Sequence, residues 1–129
     1  MSEEFNPVRW FEIYVQDIAR AKRFYEEVFQ VKLEPIGNPT DDPSMELWGF
    51  PPKHGAPGCS GALVRMNGKD SGPGGTIIYF ACEDCAVESS RVAAAGGQVQ
   101  GEKRSIGQYG FIAYALDPEG NLIGFHSMN

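Results

Sequence analysis

The chain has 129 residues, a formal net charge of −6 and 42% hydrophobic residues. That length and apolar content suit one compact domain or two half-size modules with a shared core, and they exclude a disordered chain. The acidic balance, with no run of Lys and Arg, argues against nucleic acid as a partner.

The start, MSEEFNPVRW, lacks the basic and apolar regions of an export signal, and no stretch approaches a membrane span in length. We expect a cytoplasmic protein that neither crosses nor binds a membrane. Residues Trp10 to Val15 are aromatic and β-branched and predict a strand. Asp17 then suits a helix N-cap, because its carboxylate accepts from the free N–H groups of the first turn. Ile18, Ala21, Phe24, Tyr25 and Val28 follow at helical spacing and predict one apolar stripe, with Arg20, Lys22, Arg23, Glu26 and Glu27 on a solvated face. Strands are predicted near Lys32–Ile36, Met45–Phe50 and Ala62–Met66. The Pro/Gly-rich segments Pro51–Ser60 and Asn67–Gly75 read as loops, the second as a linker, and His54 as an exposed loop residue.

From Ile77 the pattern repeats. WFEIYVQDIARAKRFYEEVF aligns with IIYFACEDCAVESSRVAAAG at one offset, placing Trp10 on Ile77, Ile13 on Phe80, Val15 on Cys82 and Asp17 on Asp84. Asp84 is the second cap, Val92 and Ala95 belong to a weaker stripe, and Gly96-Gly97 closes the helix. Strands are predicted near Gln98–Glu102, Gly110–Leu116 and Asn121–Ser127, with Asp117-Pro118-Glu119-Gly120-Asn121 as the turn before the last. The three cysteines are an odd number in a chain read as cytoplasmic, so reduced thiols are expected. Cys82-Glu83-Asp84-Cys85 has redox spacing, but Cys82 falls on the helix-packed side of its strand and reads as core.

IYVQDIARAKRFYEEVFQVKL, FACEDCAVESSRVAAAGGQV and LDPEGNLIGFH, in this order, resemble the vicinal oxygen chelate superfamily of glyoxalases, bleomycin-resistance proteins and extradiol dioxygenases. ELWGF, GALVRM and SIGQYGFIA are similar to its glyoxalase-like branch. The resemblance implies an α+β fold of two βαβββ modules forming a curved mixed sheet around a cleft. We read one glyoxalase-like domain: module one at 7–67, a linker at 68–75 and module two at 76–128. It implies a homodimer as the default, and in many members a divalent ion held by His, Gln or Glu on the first and last strands of each module. The matching positions here carry Trp10, Ile77, Gly124 and the stretch Gly61 to Arg65, none of which holds a His or Glu. Trp, Ile and Gly do not coordinate metal, so no metal and no cofactor is expected.

Strand alternation gives a reading independent of the family. Phe11, Ile13 and Val15 should face one helix, and Ile78, Phe80 and Cys82 the other. On the last strand Ile123 and Phe125 are the apolar pair. The opposite faces then carry Trp10, Glu12, Tyr14, Ile77, Tyr79, Leu122, Gly124 and His126. Aromatic groups with a few polar ones suit a small-molecule cleft; an interior seam or a dimer contact is the alternative. Trp10, Tyr14, Ile77, Tyr79, Leu122 and Gly124 are therefore candidate substrate-binding residues, and Glu12 and His126 candidate catalytic ones. Burial of Glu12 would disfavour its charged form and suit acid/base work, or the residue forms a structural ion pair with an Arg. His126 is either a proton shuttle or a surface hydrogen-bonding group. Three functions stay open: a metal-independent binder of small molecules, a metal-independent lyase or isomerase using Glu12, and a non-catalytic dimeric scaffold.

Overall fold

The computed structural model describes residues 5–129. The reading of the chain's start rests in part on residues 1–4, which lie outside the described residues. Those described form eight strands, two α-helices and a short 3-10 turn at Gly107–Tyr109 that sequence periodicity did not suggest. This is an α+β arrangement. Among the described residues, no helix is long and apolar enough to cross a membrane.

The described chain divides into two compact units, one of residues 10–76 and one of residues 5–9 and 77–129. The first contains most of β1 (Val8–Tyr14), then α1 (Ile18–Phe29), β2 (Glu34–Ile36), β3 (Glu46–Gly49) and β4 (Ser60–Arg65). Its strands run β2-β3-β4-β1, with β1 parallel to β4 and the other pairs antiparallel. The second contains most of β5 (Thr76–Ala81), then α2 (Cys85–Arg91), β6 (Gln98–Ser105), β7 (Phe111–Leu116) and β8 (Leu122–Ser127). Its order is β5-β8-β7-β6, and again the first strand is parallel to the last.

Both helices start as their sequences require. Asp17 accepts from the Arg20 N–H at 3.0 Å and Asp84 from the Ala86 N–H at 3.0 Å, each cap residue being extended. Lys103 reaches Asp84 at 2.8 Å, and this hydrogen bond, with the cap itself, holds the carboxyl below the usual range. In the first unit Val15, Leu33 and Leu63 form the core, with Ile13, Ile18, Ala21 and Tyr25 packed on it. In the second Cys82, Cys85, Ala113, Ala115 and Phe125 form the core, with Phe80, Val92 and Ile123 against it. The inward faces of β1, β5 and β8 are thus those that alternation predicts, with one exception. Ile78 stands 37% exposed and does not join the core that holds Phe80 and Cys82.

Three further expectations are corrected. Phe24 and Val28 belong to the apolar stripe by spacing, yet they are 57% and 54% exposed; only Ile18, Ala21 and Tyr25 of that stripe pack on the core. The regular part of α2 ends at Arg91. The chain then coils on to Gly96, at φ +98°, where Gly96 N–H bonds Ala93 O and Gly97 N–H bonds Val92 O; the glycine pair closes the coil as a left-handed cap. β6 runs to Ser105 rather than Glu102, since two register shifts keep its charged end paired with β7. At the predicted turn, Asp117 accepts from the N–H groups of Glu119 and Asn121 and from the Asn121 side chain.

Candidate functional site

On β1 the face turned away from α1 carries Trp10, Glu12 and Tyr14 in succession. Glu12 is 7% exposed. The Trp10 indole N–H donates to its Oε2 and the Tyr14 hydroxyl to its Oε1, both at 3.3 Å. Each carboxylate oxygen thus receives a donor from the same strand. A buried carboxylate is costly unless it is hydrogen-bonded, and here residues i−2 and i+2 supply the bonds through the period of a strand. β4 pairs with β1 along its side, with Glu12 in register with Ala62.

In the second unit Ile77 and Tyr79 are buried on β5. Tyr79 pairs with Gly124 on β8, and the missing side chain of Gly124 leaves room for the Tyr79 ring, which a Cβ there would overlap. The Tyr79 hydroxyl lies 2.5 Å from that of Tyr114 on β7, and the rings meet edge to face. Leu122 is half-buried and pairs with Leu116. His126 is engaged at both nitrogens. Its Nε2 lies 2.6 Å from the Tyr109 carbonyl, which only accepts, so Nε2 carries the proton; Nδ1 faces Arg9 at 3.3 Å as an acceptor. Burial first, and then the Arg9 charge, lower its pKa, against the opposing effect of the Tyr109 bond.

Tyr114 was not among the candidate residues, and neither was Arg104, whose guanidinium lies 5.8 Å from the Tyr114 ring. The signal was present: Ala113 and Ala115 are core residues, so alternation turns Tyr114 to the other face of β7.

A separate apolar groove of about 210 Å³ lies on the helix-packed side of β5 and β8. Phe80, Ala81, Cys82, Glu88, Ile123 and Phe125 line it, and none of the candidate site residues does. Cys82 and Cys85 are free thiols buried in the core, while Cys59 is exposed. Burial, helped by Glu88, pushes the Cys82 thiol up to about 12. Titration with a thiol reagent at mildly alkaline pH is therefore expected to modify Cys59 rapidly and the other two only after denaturant is added. Rapid modification of Cys82 in the native protein, located by peptide mapping, would contradict a core role.

The family profile described as "Glyoxalase/Bleomycin resistance protein/Dioxygenase superfamily" matches residues 8–125. The chain belongs to this superfamily. No curated protein sequence matches it. Among solved structures, methylmalonyl-CoA epimerase from Streptomyces coelicolor, in complex with 2-nitronate-propionyl-CoA, superposes with a TM-score of 0.69 at 15% identity, covering 96% of this chain and 95% of that one. A hypothetical protein from Bacillus halodurans gives 0.70 at 15% identity, over 95% and 94% of the two chains. The epimerase from Mycobacterium tuberculosis gives 0.68 at 17%, over 95% and 88%. At these identities the likeness establishes the fold.

The positions where the superfamily resemblance places metal ligands do not fit a metal ion. Trp10 presents an N–H already donated to Glu12, Ile77 is hydrocarbon, and Gly124 has no side chain and no space for one. Ala62, Leu63 and Val64 on β4 are fully buried apolar residues. None of these side chains offers a lone pair to a cation. Among the described residues, no three His, Cys, Asp or Glu side chains are grouped as a metal site.

Proposed function

We propose that this superfamily member is a cytoplasmic, metal-independent small-molecule-binding protein whose site is built on the Trp10–Glu12–Tyr14 face of β1. The observation that carries the reading is the buried Glu12 carboxylate held between two aromatic donors. A face meant only for packing is more cheaply built from hydrocarbon, so a fixed carboxylate among aromatic rings suits recognition. Its ligand has an apolar or aromatic body to lie on Trp10 and a hydrogen-bond donor for Glu12. Tyr79, Tyr114 and Gly124 give the second unit its own aromatic face, and His126, engaged at both nitrogens, serves to position rather than to shuttle protons. A homodimer is part of the reading and does not depend on the ligand.

The chain has two tryptophans, so Trp48→Phe leaves Trp10 as the only one. Its fluorescence is then titrated with a panel of aromatic amines, small phenols, glycopeptide drugs and acyl-CoA thioesters, the last because structures of this fold hold 2-nitronate-propionyl-CoA and methylmalonyl-CoA. Saturable quenching by at least one compound is expected, with matching stoichiometric heat in calorimetry. Binding that stabilises the protein but leaves Trp10 emission unchanged would place the site elsewhere.

A second reading, acid/base catalysis by Glu12, is favoured by the same burial. It requires that a bound compound be converted, which proton NMR of the ligand detects directly.

A further inference from the structure

We infer that α1 is a self-association surface, on which a second copy of this chain packs antiparallel about a two-fold axis at Phe24. This names a surface for the homodimer in the proposed function and is independent of the ligand. Phe24 and Val28, one turn apart on one face of this helix, stand 57% and 54% exposed. Exposed apolar residues are ordinary when scattered; a cluster on one helix marks an interaction surface.

Charge selects the partner. α1 carries Arg20, Lys22 and Arg23 in its first half and Glu26 and Glu27 in its second, with no acidic residue in the first turn and no basic residue in the last. That order opposes the helix dipole, which favours anions at the N-terminus and cations at the C-terminus. Lys22 lies on the Trp48 ring at 3.4 Å and is held inward, whereas Arg20, Arg23 and Glu27 are exposed. At 3.6 residues per turn, Arg20, Phe24, Glu27 and Val28 fall on one face. An antiparallel copy centred at Phe24 sets Phe24 against its own equivalent. It sets Arg20 of each chain beside Val28 of the other and within one residue of Glu27, in reach of its carboxylate, and opposes the two helix dipoles. A parallel pairing would instead set like charges together. One helix pair buries less than the roughly 800 Å² per partner of a standard interface, so association is weak and concentration-dependent.

Sedimentation velocity over a wide concentration range tests this on the wild type, Phe24→Lys, Arg20→Glu, Glu27→Arg and an equimolar mixture of the last two. These positions are exposed, and circular dichroism of each variant confirms that the fold is kept. The wild type should dimerise reversibly. Phe24→Lys, which sets two like charges on the axis, and each single charge reversal should weaken dimerisation by about tenfold or more. The mixture should recover it, because the reversed chains complement one another. A wild type that is monomeric throughout overturns both the homodimer and this surface. A dimer that survives all three substitutions overturns the surface alone, and loss without recovery in the mixture overturns the antiparallel register.

Discussion

Gly61→Ala is expected to destabilise the protein by about 3 kcal/mol, at the upper end of overpacking costs. Gly61 faces Phe11 across the parallel β1–β4 ladder, and a Cβ at this position would overlap both the Phe11 carbonyl oxygen and its ring. The carbonyl belongs to the backbone of β1 and cannot rotate away. Gly61 O also accepts from the Phe50 N–H at 3.0 Å, so β4 is tied on this side as well. Relief requires the strands to part, which would also loosen Ala62, Leu63 and Val64, all fully buried. Gly124→Ala meets the Tyr79 ring instead, a side chain tethered to Tyr114, and should cost about 1–2 kcal/mol. Gly37→Ala meets nothing and should change stability by less than about 0.5 kcal/mol. Urea unfolding of the three variants gives the order directly; equal midpoints for Gly61→Ala and Gly37→Ala would refute the close packing of β1 on β4.

Trp10→Ala is expected to weaken the ligand found by fluorescence by about 30-fold or more, the scale of a buried aromatic anchor, measured by calorimetry because the variant has lost the reporter. Glu12→Gln separates the two functional readings. The amide keeps the shape and both bonds, turning its oxygen to the Trp10 N–H and donating its NH2 to the Tyr14 hydroxyl, which accepts as well as donates. Exchanging charge-assisted hydrogen bonds for neutral ones should cost about 1 kcal/mol of stability. For a binding protein, affinity for a ligand that donates to Glu12 should fall by about tenfold or more. For an enzyme, turnover should fall by about 10²–10⁴ while affinity changes little. Unchanged affinity and the absence of any turnover in the wild type would remove Glu12 from the site.

Much of the architecture was legible because it is local. The two Asp caps follow from hydrogen-bonding needs within a few residues of the cap. The facing of Ile13, Val15, Phe80 and Cys82 follows from the two-residue period of a strand, which also places Trp10 and Tyr14 on either side of Glu12. Periodicity states which residues share a face. It does not state whether another layer covers that face.

Only the folded chain decided that Phe24 and Val28 stand in solvent while Tyr25 packs, and that Ile78 is left partly exposed. Only the pairing of β5, β8 and β7 brought Tyr79, Gly124 and Tyr114 together from positions far apart in sequence. The local pattern was set by the residues themselves, through backbone hydrogen bonding and side-chain period. Coverage and long-range contact were set by where the chain returned, which depends on strand register and helix length.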